Sequence, residues 1–145
     1  MSDAREYREN SQAVQVHLEI TQSVIQRMAS NSSSCKAWCI TLVSAILVIV
    51  ADKGKPRYAF IAVAPTVLFL ILDTYYLALE RMFRQSYNSF IDKLHAGTVV
   101  ASDLYAVSPS GNMRNTFFAS LLSFSIWLFY STLLVVTIIV KSTVI

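Results

Sequence analysis

The sequence predicts an all-α membrane protein, and three observations carry that expectation. Of the 145 residues, 54% are hydrophobic and 14% are charged, well under the roughly 25% charged of ordinary soluble domains. The apolar residues are gathered into long stretches without Lys, Arg, Asp or Glu, the pattern of helices that cross hydrocarbon. Only 11–34 and 80–115 remain as substantial polar territory. The expected layout is a cytoplasmic amphipathic N-terminal helix within 1–34, then a membrane domain over 35–145 with about three spans near 35–51, 57–79 and 116–140. The second span is expected to extend into the cytoplasm, where residues 80–115 lie.

Each element has its own signal. In residues 11–28, Val14, Leu18, Ile25 and Met28 form one apolar row and Val16, Ile20 and Val24 a second. This predicts an amphipathic helix with Ser11 at its N-cap. Its wide face needs a neighbouring subunit, a bilayer surface or the rest of the bundle as partner. Asn31 to Ser34 are residues that favour caps and turns, so a break is expected there.

Lys36 to Ala51 reads as the first span, with Trp38 near one end where an aromatic ring suits the interface. The span is short, so its serine flanks are drawn in or the bilayer is thinned. The segment DKGKPR, 52–57, holds Gly54 and Pro56 and closes a tight hairpin, which makes the second span antiparallel to the first. From near Arg57 to Leu94 nearly forty residues make a rod of roughly 55 Å, against a hydrocarbon core of about 30 Å. Phe83, Tyr87, Phe90, Ile91 and Leu94 keep a helical stripe in the projecting part. His95 to Asn115 is richer in Gly, Ser and Pro and reads as a connector, and Thr116 to Val140 is an uncharged third span.

Charge bears on orientation. The opening residues are charged and lack a small-residue cleavage site, so a retained, cytoplasmic N-terminus is expected. Arg27, Lys36, Arg81, Arg84, Lys93 and Arg114 then flank the spans inside, and Lys53, Lys55, Arg57 and Lys141 outside. Six against four is a slight positive-inside bias, which the three basic residues of the hairpin oppose.

Few groups suggest chemistry. Asp73 stands inside an apolar run, LILDTYYLALERMFR, and must face other helices, a partner or water. Its role is packing at an interface or lining and gating a pore, with Thr74 or Tyr76 as neighbouring donors. Glu80 and Arg84 are an i, i+4 pair in the favoured order, and Arg81 adds a cation. Arg81, Arg84, Lys93 and His95 are either a solvated face or, collected from several subunits, a basic vestibule that attracts anions. Cys35 and Cys39 are placed as two small apolar side chains of one helix face, in a geometry unsuited to a mutual disulfide. No zinc spacing, phosphate loop, HExxH or GxSxG occurs, so neither a metal, a cofactor nor catalysis is expected.

The stretches RMASNSSSCKAWCITLVSAILVIVA and PRYAFIAVAPTVLFLILDTYYLALERMFRQSY carry a resemblance covering roughly residues 15–90. There the chain resembles the short membrane effectors of bacterial anti-phage operons, the SLATT-like group and the Hailong membrane effector. The resemblance implies a multi-pass protein of the bacterial inner membrane that forms a homo-oligomer, a tetramer or larger. It implies an ion-conducting path controlled by a nucleotide or short oligonucleotide made or lost during infection, with a signal-producing enzyme encoded in the same operon as a partner. Asp73, Tyr76, Glu80, Arg81, Arg84 and Lys93 are the candidate ligand-binding or gating residues. The competing expectation is a passive anchor that tethers a cytoplasmic partner through the apolar faces of 11–28 and 81–94.

Overall fold

Two glycines fix where the long helices stop. The computed structural model describes residues 7–143. In it the first helix, α1 (Gln12–Lys53), ends at Gly54, and the second, α2 (Val63–His95), ends just before Gly97. Both glycines are left-handed, with φ of +59° and +66°, a conformation that costs residues with a Cβ about 1–2 kcal/mol. Each closes a Schellman motif. Lys55 N–H donates to Val50 O and Gly54 N–H to Ala51 O; at the other end, Thr98 N–H donates to Lys93 O and Gly97 N–H to Leu94 O.

A 3-10 helix, Pro56–Ala62, completes the hairpin between α1 and α2, so α2 proper begins at Val63. The connector follows α2, with a short 3-10 turn at Ala101–Asp103, and leads into α3 (Met113–Leu121) and α4 (Phe124–Thr143). The Asn112 side chain caps α3 by accepting from the N–H groups of Arg114 and Asn115. No strand occurs among the described residues. Three helical stretches are long and apolar enough to cross a membrane: α1, Pro56–His95 and α4.

Two expectations need correction. The break at Asn31 to Ser34 does not occur, and a boundary at residue 34 falls inside one helix of 42 residues. Ser32 is buried and donates its hydroxyl to Asp73 on α2 rather than to its own backbone, so packing overrides the turn preference of these residues. The third span does not run unbroken from Thr116. The chain leaves helical geometry at Leu122, where ψ is 5°, and Ser123 O restarts it by accepting from Ile126 and Trp127 N–H. The break lets α3 lie along α2 while α4 turns onto the hairpin, and the apolar crossing becomes Phe124–Thr143.

One antiparallel seam organises the core. On α1, Val14, His17, Thr21 and Ile25 are buried, and the same face continues through Ser32, Cys35, Cys39, Val43, Leu47 and Val50. The three- and four-residue spacing keeps one stripe on α1 turned inward along its whole length, against α2 and, near the hairpin, against Pro56–Ala62 and α4. At the hairpin end Cys39, Val43 and Leu47 pack with Ala59, Ala62, Ile126 and Tyr130. At the opposite end Val14 packs with Phe90, Val99 and Leu104. The Val14 row of the N-terminal segment therefore meets the rest of its own bundle, while Ile20 of the second row is left exposed. Many seam residues are small, which lets helix backbones approach closely where apolar burial gives no drive in lipid. Large apolar side chains such as Trp38, Val48, Phe60, Leu68, Phe124 and Ile138 point outward.

Phe90 joins α2 to α1 and the connector at once, so Phe90→Ala should cost about 3–5 kcal/mol. Thermal unfolding in detergent should show that loss. Trp38→Ala, at a position 62% exposed, should leave the midpoint nearly unchanged.

Candidate functional site

Asp73 is fully buried, at 0% exposure, inside the stretch that the sequence marks as apolar. Its carboxylate is held from α1. Ser32 donates to Oδ1, and the Lys36 ammonium stands 2.6 Å from Oδ2, which receives no further donor. Lys36 also reaches Ser32 Oγ at 3.3 Å, closing a triangle of acid, base and hydroxyl. Ser32 and Lys36 lie one helical turn apart, so a straight α1 presents both to the same point of α2. Moving each ion out of water costs several kcal/mol, and the pairing offsets this only with good geometry.

Other polar groups gather around the pair. The Tyr130 hydroxyl of α4 is buried without a hydrogen bond and lies within electrostatic reach of the Asp73 carboxylate and of both cysteines. Cys39 faces Thr66 of α2, and both cysteines are buried, free thiols. Thr66 and Thr74 turn their hydroxyls back onto the carbonyls of Ala62 and Leu70. The result is a buried polar cluster where α1, α2 and α4 meet. Among the described residues no group of three or more His, Cys, Asp or Glu is placed to hold a metal ion.

A second polar cluster lies at the end of the seam away from the hairpin. His17 is buried, stacks on Phe90 with ring centroids 4.2 Å apart, and accepts the Tyr105 N–H at Nδ1 over 3.1 Å. Tyr105 reaches it with a φ of +63°. Burial holds the His17 imidazole below its ordinary value, against the upward pull of Asp103. Hydrogen bonds from Lys93 and from Val100 N–H hold the Asp103 carboxyl below its own.

The sequence candidates fall in two places along α2. Asp73 sits in the buried cluster, and Lys93 lies some 30 Å further along the helix, paired with Asp103 at 2.7 Å. Between them Tyr76 is half-buried and edge-on to Tyr75 rather than bonded to Asp73, while Thr74 bonds its own helix. Arg84 Nε donates to Glu80 Oε1 at 2.9 Å, and Arg81 has no ion partner among the described residues. His95 lies 3.8 Å from Glu9. The residues that complete the buried cluster, Ser32, Lys36 and Tyr130, and the pivotal His17 were not singled out by the sequence reading.

Fold and site together are compatible with a class, the multi-pass helical membrane proteins. No protein family, curated protein or solved structure was found to match the chain.

The buried pair predicts strong coupling. Asp73→Leu or Lys36→Met alone leaves the other ion unpaired and should destabilise by about 3–5 kcal/mol, whereas the double variant should recover most of the loss. Denaturation of all four proteins in one detergent measures the cycle, and additive single effects would count against the pair.

Acidification should act through His17. Its folded form binds a proton less readily than the unfolded chain, so its stability contribution is present above the ordinary value of 6.5 and declines as pH falls below it. Asp103 acts in a separate window, its contribution being lost as pH falls below 3.8. Thermal midpoints should therefore drop between about pH 7.5 and 5.5, and His17→Gln should flatten that slope.

Proposed function

We propose that the protein is a multi-pass effector of the bacterial inner membrane that forms a homo-oligomer of four or more subunits and opens an ion-conducting path. The observation that carries this reading is the Asp73–Lys36–Ser32 cluster, a buried charge system within otherwise apolar helices. Ionisable groups at such depth are expensive and recur where ions or protons pass. Three apolar helices cannot enclose a pore, so conduction requires several copies. The N-terminus and the projecting end of α2 face the cytoplasm in this reading, and there a nucleotide or short oligonucleotide signal acts.

The signal rests on the resemblance to anti-phage effectors and on Arg81. Within one subunit Glu80 engages Arg84 and Asp103 engages Lys93, so an anion would draw on Arg81 from neighbouring subunits or displace Glu80 from Arg84. A passive anchor is disfavoured because part of the faces it would use is already occupied within the subunit. Val14 and Leu18 of α1 pack with Phe90 and Leu94 of α2 in one cluster.

Reconstitution tests the reading. In nanodiscs the particle should have the mass of four or more subunits, and in liposomes ion flux should exceed background under an activating signal. A monomer with background flux under every nucleotide tried would remove it. Arg81→Gln with Arg84→Gln should leave assembly intact and weaken the response to the signal; an unchanged response would exclude these arginines from sensing. Cysteine labels at Lys55 and Asn88 should react from opposite faces of intact cells.

A further inference from the structure

At the end of α2 the connector forms one side of a half-open groove with a volume of about 290 Å³, whose serines Ser89, Ser102 and Ser108 are exposed. Five serines line it, Ser86 and Ser89 from α2 and Ser102, Ser108 and Ser110 from the connector. None of their hydroxyls is hydrogen-bonded among the described residues, so each is open to give and to accept. His17 also lines the groove and is only 5% exposed. Because Nδ1 accepts the Tyr105 N–H, the neutral ring carries its proton on Nε2, and that donor has no acceptor among the described residues.

Charge and size then select the ligand. Asp103 Oδ1 takes the Lys93 ammonium at 2.7 Å and Oδ2 takes the Val100 N–H at 3.1 Å, so the one ion pair beside the groove is already neutral. No arginine lines the space. A phosphate would have to break that pair and would meet the Asp103 carboxylate. A hydroxyl-rich neutral molecule matches the serines without breaking anything, and Phe90 offers an apolar wall for its C–H face. The volume falls just under the roughly 300–1,000 Å³ of small-molecule sites, which suits one ring.

The geometry points to this groove as a binding site for a small neutral polyhydroxylated molecule, of the size of a monosaccharide or cyclitol, held by His17, the serines and Phe90. The ligand bridges α1, α2 and the connector and so fastens the segment that leads into α3. The site goes beyond the proposed conduction and does not depend on it.

The test uses the full chain in nanodiscs, because maltoside detergents carry sugar headgroups. myo-Inositol, D-glucose and D-ribose are titrated separately, with inorganic phosphate as the anionic probe, and binding is followed by saturation-transfer NMR. At least one of the three should bind saturably, with an affinity unchanged between about 50 and 300 mM salt. Ser86→Leu, which fills the groove, should weaken that binding by about tenfold or more. Ser110→Leu, at a partly buried connector position that also lines the groove, should do the same and serves if Ser86→Leu fails to fold. Absence of saturable binding by all three polyols overturns the proposal. So does phosphate binding that weakens as salt rises, or polyol binding that persists unchanged in the folded variants.

Discussion

The contact between Lys36 and Asp73 is the constraint on which the rest of the molecule depends. Two long helices with small seam residues could slide past one another, because lipid offers no apolar drive to hold a register. A buried carboxylate that must meet one ammonium and one hydroxyl removes that freedom. With Ser32 and Lys36 a turn apart on α1 and Asp73 on α2, a slip by one turn leaves ions unpaired in a medium that penalises them. The register set there puts Val14 and His17 beside Phe90 at one end and Val43 and Leu47 beside the hairpin at the other.

The seam also divides the chain into two environments with opposite logic. Around Tyr130 and Ile126 the helices are covered outside by exposed apolar side chains, and polar groups turn inward. Around His17 the polar groups face a serine-lined space and water, and the ion pairs Lys93–Asp103 and Glu80–Arg84 are partly exposed, where pairing contributes little to stability. The same helices serve both, which is why α1 changes composition near Asn31 without changing conformation.

Much of this was legible in the residues. Apolar runs located three membrane-length helices, DKGKPR located the hairpin, and Gly97 stands just past the end of the α2 pattern. The local propensity of Asn31 to Ser34 misled, because a turn preference worth tenths of a kcal/mol yields to a buried partner. The partner of Asp73 was readable with one further step. Lys36 lies eighteen residues before Gly54 and Asp73 nineteen after it, so an antiparallel hairpin brings them to the same height. Tyr130 was not readable, since its place depends on the break at Leu122 and the path of the connector, and no periodicity encodes either.

The unbroken course of α1 has a mechanical consequence. A helix of 42 residues is a rod of about 63 Å, and it is clamped by an ion pair somewhat past its midpoint. Such a rod behaves as a lever with its fulcrum at Lys36. Its arms, of about 36 Å toward Gln12 and about 26 Å toward Lys53, turn a sideways push of ~3 Å at Gln12 into an opposite swing of ~2 Å at the hairpin. No chain of side-chain rearrangements is needed for the two ends to move together; stiffness alone couples them.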